Sequence, residues 1–482
     1  MNPPDVSNIA TVPAGPSVQR GGTRYLKVIV SGMLIILAQV LYQLIFLPDP
    51  TGLHVNFLVM NPPIRENVAQ LLATHPLRLL LPYQYDPGRW YWPTTVILFT
   101  YYAEVYLGPV CSYLLFSTVF VLSSFSLGFL LTRSLLFAST VAFAFAFGTQ
   151  NDFVFTLGNL TAFYLVQTYV AVNFSIGLLI LSGRWSGWLA GSAFILSLLV
   201  VALSSEIWIN YATGCILAIL FVIAWSIHHR ETNVLRRAAF LLFVMVFILG
   251  EYLIIRMQFV SQYLAPGAEE ELLVTYRHGF LMIDDFIANL FTYLYMTLSN
   301  YLPSVISGSN SLTYLGSDVI IAGQTGYDAG HSNFVVMSHF FLWRFYAGVT
   351  VAVFFGAAGW VFVRSWRTSH LPPAIVAGLS LMILAGFATH LAIKMRPYTT
   401  TPSLSYKATM SIAAWTVMIA YLTTQAAETI QSHWKRRSLV ASVWLCILAA
   451  ALTRPHMKAM SMFQMQMFVL GDPLGHILRW LR

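Results

Sequence analysis

Apolar residues in this chain come in long blocks separated by short polar segments, with no sustained alternation of period two. A helix crossing the hydrocarbon core of a bilayer, roughly 30 Å thick, needs about 20 mostly apolar residues. Runs that reach or approach that length cover residues 28–47, 105–131, 135–147, 162–181, 188–203, 212–225, 238–255, 341–363, 374–393, 408–422 and 439–452. The shorter ones are expected to extend into their polar flanks. The pattern predicts an all-α polytopic membrane protein with about 11 transmembrane helices.

Composition agrees and removes the soluble alternatives. Of 482 residues, 57% are hydrophobic and only 9% charged, with a mean hydropathy of +0.70. A soluble domain carries about 25% charged residues, so lipid must be the solvent for most of this surface. The net charge of +8 raises nucleic acid as a partner. The basic residues are scattered in short clusters between apolar runs, however, as a membrane topology requires, and no nucleic acid is expected. Cys111, Cys215 and Cys446 each lie inside an apolar run. Their spacing fits neither a zinc site nor a disulfide framework, and they read as small buried hydrophobes.

Basic residues also set the expected orientation. With the amino terminus inside, the inner segments hold Arg20, Arg24 and Lys27, then Arg133, Arg184, His228 to Arg230 with Arg236 and Arg237, then Arg364 and Arg367, and last Lys435, Arg436 and Arg437. Every short inner loop is then basic. Residues 1–27 read as a disordered cytoplasmic tail and 28–453 as one transmembrane domain. Long outer loops are expected at about 48–100 and 256–339, and an outward-facing amphipathic tail at 454–482. Residues 67–72 and 285–291 have helical periodicity and predict short interfacial helices within the two outer loops. Trp90, Tyr91 and Trp92 fit an aromatic belt.

Ionisable residues at membrane depth are costly and mark functional sites. Here Asp49, His54, Asp152, Glu206, Glu251, Arg256, Lys394, Arg396 and Lys407 all fall at or just beyond the outward ends of apolar runs. No chain of charges crosses the centre, as an ion-coupled transporter would require. The asymmetry points to a site at the outer surface.

Several segments carry a family resemblance. These are Phe46 to His54 around Asp49, Trp90 through Tyr106 to Pro109, the turn Thr132-Arg133-Ser134, Phe145 to Asp152 with Leu157 to Leu160, and Lys394-Met395-Arg396-Pro397-Tyr398 followed by Pro402. Their layout resembles the GT-C superfamily of membrane glycosyltransferases. The resemblance implies a GT-C-like bundle in the bacterial inner membrane, with its site facing the periplasm or exterior. The donor would be a polyprenyl-phosphate-linked sugar, and the acceptor a glycan, lipid or protein. Transfer would invert the anomeric carbon, with Asp49 as general base. Asp152 would be a second acid, orienting the acceptor or a divalent metal ion; no metal site is otherwise assigned, and no further cofactor. Arg396 would clamp the lipid phosphate with its two-pronged guanidinium. Lys394, Tyr398, Glu206 and His54 would line the substrate site.

Two departures accompany the match. Many family members carry adjacent acids in the first outer loop, whereas Asp49 stands alone before Pro50. With no large soluble carboxy-terminal domain expected, acceptor recognition would fall to the outer loops. The competing readings are an O-antigen polymerase or ligase acting through Arg277, His278 and residues 328–331, a lipid or polysaccharide flippase, and a non-catalytic membrane partner.

Overall fold

A computed structural model describes residues 18–45, 70, 73–74, 83–86, 89–91, 98–147, 157–204, 207–263, 341–382 and 401–453. Its helices are α1 (Val18–Ile45), α2 (Leu98–Leu107), α3 (Pro109–Thr132), α4 (Leu135–Phe147), α5 (Leu157–Leu181), α6 (Trp188–Ser204), α7 (Ile207–His228), α8 (Thr232–Tyr263), α9 (Phe341–Arg367), α10 (Leu371–Ser380), α11 (Thr401–Thr429) and α12 (His433–Thr453). A short antiparallel hairpin, β1 (Tyr83–Asp86) with β2 (Arg89–Tyr91), precedes α2. Each apolar run of the sequence lies wholly or partly on one of these helices.

Among the described residues, five helices carry stretches long and apolar enough to cross a membrane: Leu26–Gln43, Cys111–Thr132, Tyr164–Leu181, Trp208–His228 and Thr232–Ile254. The chain is a multi-pass integral membrane protein. Helices α4, α6 and α10 are apolar but shorter. At 1.5 Å per residue, the 13 residues of α4 rise only about 20 Å, less than a full hydrocarbon core.

Helix boundaries differ from the apolar runs in a systematic way. The run 105–131 reads as one span, yet the helix breaks inside it. Gly108 takes φ 79° and ψ 160°, outside helical space, and Pro109 follows at the first helical position of α3. Glycine tolerates that positive φ and proline has no N–H to leave unpaired at a helix start. Conversely, α1 begins at Val18, inside the expected disordered tail, and α8 continues to Tyr263, past the expected start of the second outer loop. A helix ends where its backbone is capped or broken, not where its side chains turn polar. The stretch between α1 and α2 holds the hairpin, which sets Trp90 opposite Gln84 and Tyr91 opposite Tyr83. Of the interfacial helices expected there and later, residues 285–291 lie outside the described residues. From 67–72 only Gln70 is described, its carbonyl accepting from Thr74 Oγ1 at 2.7 Å. Cys215 is buried as expected, but Cys111 and Cys446 are exposed on the bundle surface. In lipid that placement costs little, because the surroundings are as apolar as the core.

The short helix α4 is the centre of the bundle. Every residue from Phe137 to Phe147 is buried, and α1, α3, α11 and α12 pack around it. A helix apolar on all sides belongs in such a place. Phe143 stacks on Trp444 of α12 with centroids 4.5 Å apart. A second group pairs α7 with α8 and α10. There Gly378 permits backbone contact: a Cβ at that position would sit 2.8 Å from the Ala218 carbonyl oxygen. Small residues at such crossings are what lets helices associate in lipid, where the hydrophobic effect does not drive them together.

The described turns 133–134, 182–187, 229–231, 368–370 and 430–432 gather at one end of the bundle. Arg184 donates to Leu130 O at 3.0 Å, and Trp225 Nε1 donates to Ser365 O at 2.9 Å and Thr368 O at 3.2 Å. His228 stacks on Trp366, centroids 4.7 Å apart. Partial burial, together with the nearby charge of Arg133, lowers the pKa of Arg184 from its ordinary value. The basic residues expected on the inner side, from Arg133 through Arg437, therefore share this end.

Candidate functional site

Asp49, His54, Asp152, Glu206, Lys394, Arg396 and Tyr398 all lie outside the described residues. What the structure gives is the set of helix ends to which they are joined. α1 ends at Ile45, just before Asp49. The end of α4 at Phe147 and the start of α5 at Leu157 bracket Asp152. Ser204 and Ile207 bracket Glu206 in the same way. α10 and α11 bracket Lys394, Arg396 and Tyr398.

The bracketing ends of α4, α5, α6, α7 and α11 lie opposite the basic turns, because each of these helices has its other end at one of them. Helix α10 has only 10 residues and ends level with the middle of α7, where Met382 meets Gly214. α1 joins the group through side-chain contacts near its own end. The Tyr42 ring of α1 meets Phe147 of α4 at 5.3 Å, and Tyr42 Oη donates to Ala451 O of α12 at 2.9 Å. Tyr113 and Tyr164 join α3 to α5, with centroids 5.8 Å apart. Trp208 and Tyr252 join α7 to α8 at 6.4 Å. The helices that precede Asp49 and Asp152 in the chain thus end beside each other.

Beneath this end, a cavity of about 70 Å³ lies among α3, α4, α5, α7, α10 and α11. Phe120, Phe145, Met382 and Ala413 give it an apolar wall, and Gln167 and Tyr211 bring polar groups to it. Gln167 is only 4% exposed, and its Nε2 has no hydrogen-bond partner among the described residues. Tyr211 is better placed: its Oη donates to Asn173 Oδ1 at 2.8 Å, and Asn173 Nδ2 donates to Ser197 Oγ at 2.7 Å and Phe194 O at 3.2 Å. This satisfied network ties α5, α6 and α7 together.

A second set of buried amides lies on α1. Gln43 Oε1 accepts from Ser117 Oγ at 2.8 Å, while Gln43 Nε2 and both amide atoms of Gln39 have no partner among the described residues. An unpaired buried amide atom costs about 1–3 kcal/mol. These glutamines are neutral, so the cost of burying a charge does not mark them in the sequence. A signal was present. Gly32, Ile35, Gln39 and Gln43 form one buried stripe at helical spacing, while Met33, Leu34, Leu37 and Leu41 face outward. A membrane helix that turns its glutamines inward and its leucines to lipid is declaring its interface.

Among the described residues, no group of three or more His, Cys, Asp or Glu side chains could hold a metal ion. Asp152, the residue with which a divalent ion was associated, is not among them. No protein-family model matches the chain, and no curated protein matches it.

Proposed function

We propose that the protein is an inverting membrane glycosyltransferase of GT-C type. It takes a sugar from a polyprenyl-phosphate-linked donor and transfers it to a glycan, lipid or protein acceptor at the outer face of a bacterial inner membrane. The basic turns face the cytoplasm, following the positive-inside rule, so the opposite end carries the chemistry. The observation that supports this reading best is the meeting of α1 and α4 through Tyr42 and Phe147, immediately before the segments bearing Asp49 and Asp152.

The division of labour follows from charge. Asp49 takes the proton of the acceptor hydroxyl as that oxygen attacks the anomeric carbon. Arg396 offsets the negative charge that builds on the departing lipid phosphate. Asp152 and Glu206 orient the acceptor, with Lys394, Tyr398 and His54 at the donor. The prenyl tail stays in the hydrocarbon, where the bundle's outward leucines and phenylalanines already lie.

Asp49→Asn tests the reading, because the amide keeps the shape but accepts no proton at neutral pH. In nanodiscs supplied with lipid-linked sugar, transfer should fall by about two to four orders of magnitude, with donor binding retained. Near-normal turnover would remove Asp49 as the base and pass the role to Asp152 or Glu206.

A further inference from the structure

At the basic end, α12 opens with His-Trp-Lys-Arg-Arg and then turns apolar. Its residues 433, 436, 437, 440, 441 and 444 fall at helical spacing on one stripe. His433, Arg436 and Arg437 head the stripe, and Val440, Ala441 and Trp444 continue it. With Leu136 from the first turn of α4, these residues line an open groove of about 460 Å³. Its far end is closed by Trp444, which is held in place. The ring stacks on Phe143, and Nε1 donates to Thr140 Oγ1 at 3.2 Å.

The dimensions match one membrane leaflet. Arg436 and Trp444 are eight residues apart, about 12 Å along the helix, and a leaflet's share of the hydrocarbon core is about 15 Å. The groove is therefore cationic at headgroup level and apolar at the depth of the first half of an acyl chain.

Its charges are also unsatisfied, unlike those of three arginines at the same end. Arg184 is bonded to Leu130 O, Arg237 donates to Leu181 O at 3.5 Å, and the Arg364 guanidinium lies 5.2 Å from the centre of the Trp360 ring. Arg436 and Arg437 have no ion pair or side-chain hydrogen bond among the described residues. Of the acids at this end, Glu428 accepts from Gln425 Nε2 at 3.1 Å, and Glu231 lies in the turn between α7 and α8. Cations in the first turn of a helix, with no acid beside them, also oppose the helix dipole, which favours negative charge there.

We propose that this groove is a binding site for one anionic phospholipid. The phosphate pairs with the Arg436 and Arg437 guanidiniums, and an acyl chain lies along Val440, Ala441 and Trp444 against Leu136. An anionic headgroup supplies the missing counter-charge, and its chain covers the apolar floor. The site is separate from the outer end and does not depend on the catalytic reading.

The test is native mass spectrometry of the full chain from mixed micelles, titrated with phosphatidylglycerol against phosphatidylcholine. The unmodified protein should retain one phosphatidylglycerol in preference to phosphatidylcholine. The R436Q/R437Q protein should lose at least tenfold in retention, and R437Q alone should lose part of it. R230Q/R236Q, which removes two cations from another turn at the same end, should leave retention unchanged. A matched titration with inorganic phosphate should fail to displace the lipid. Unchanged retention in R436Q/R437Q would overturn the proposal. So would an equal loss in R230Q/R236Q, which would mean a diffuse basic surface. Displacement by inorganic phosphate would also overturn it, because the site would then hold an ion and the apolar floor would play no part.

Discussion

Tyr42 meets Phe147 edge to face, with ring centroids 5.3 Å apart and planes at 73°. The same Tyr42 donates its hydroxyl to the Ala451 carbonyl at 2.9 Å. One side chain therefore holds together the ends of α1, α4 and α12. Two of those helices run directly into the segments that carry Asp49 and Asp152. The register between α1 and α4 sets how the two helix ends lie beside each other, and Tyr42 is its pin.

The pin can be measured. Tyr42→Phe keeps the ring and removes the hydroxyl, and should lower stability by about 0.5–1.5 kcal/mol. Phe147→Ala removes a buried ring and should cost about 3–5 kcal/mol. Combined as a double-mutant cycle with Tyr42→Ala, the two rings should couple by about 0.5–1.5 kcal/mol, read from thermal unfolding in one detergent. Strict additivity would mean that the rings touch without holding the helix ends together.

Gly378 offers a sharper steric test. A Cβ there would meet Ala218 backbone atoms at 2.8 Å, 3.1 Å and 3.3 Å, and backbone cannot rotate away. Gly378→Ala should push α10 from α7 and cost about 1–3 kcal/mol. Gly250 on α8 has nothing within 4 Å of its added Cβ, and Gly250→Ala should be neutral or stabilising by up to about 1 kcal/mol. Equal melting temperatures for the two variants would contradict so close a crossing of α7 and α10.

The Asn173 network predicts non-additivity. Asn173→Leu leaves Tyr211 Oη without its acceptor and Ser197 Oγ without its donor, and should cost about 2–4 kcal/mol. Adding Tyr211→Phe removes the orphaned hydroxyl and should recover part of that loss. A double variant that is less stable than Asn173→Leu alone would show that Tyr211 has a second partner of greater weight.

Most of the helices were legible because lipid imposes long apolar runs, and a run such as 135–147 coincides with α4 to the residue. Their ends were less legible, since local backbone chemistry decides them. Gly108 and Pro109 split one run in two, while α8 keeps its hydrogen bonds past Ile255 into polar sequence. The neutral amides were missed for a physical reason. Gln39, Gln167 and Asn173 carry no charge, so a search keyed to the cost of burying ions passes over them. Their role depends on which face of the helix they occupy, and only the packing fixes that. The acids and cations expected at the outer end lie outside the described residues. Their mutual distances depend on segments beyond the helix ends.

Arg396 carries the last prediction. It falls in the chain between α10 and α11, with Lys394 before it and Pro397-Tyr398 after it. A polyprenyl-linked donor presents its phosphate at the membrane interface while its tail remains in hydrocarbon, so the group that meets the phosphate must be a cation at that depth. Arginine offers two parallel donors to two phosphate oxygens, whereas lysine offers a point charge. Arg396→Ala should therefore cost on the order of 2–4 kcal/mol in transition-state stabilisation, and Arg396→Lys should fall between that and the unmodified protein. Lys394→Ala should cost less than either if its side chain only extends to the interface. Transfer rate against donor concentration in nanodiscs separates the three. A loss of kcat/KM that is largest in Arg396→Ala, smaller in Arg396→Lys and smallest in Lys394→Ala fits a clamp. Equal small losses in all three would replace it with a diffuse cationic surface.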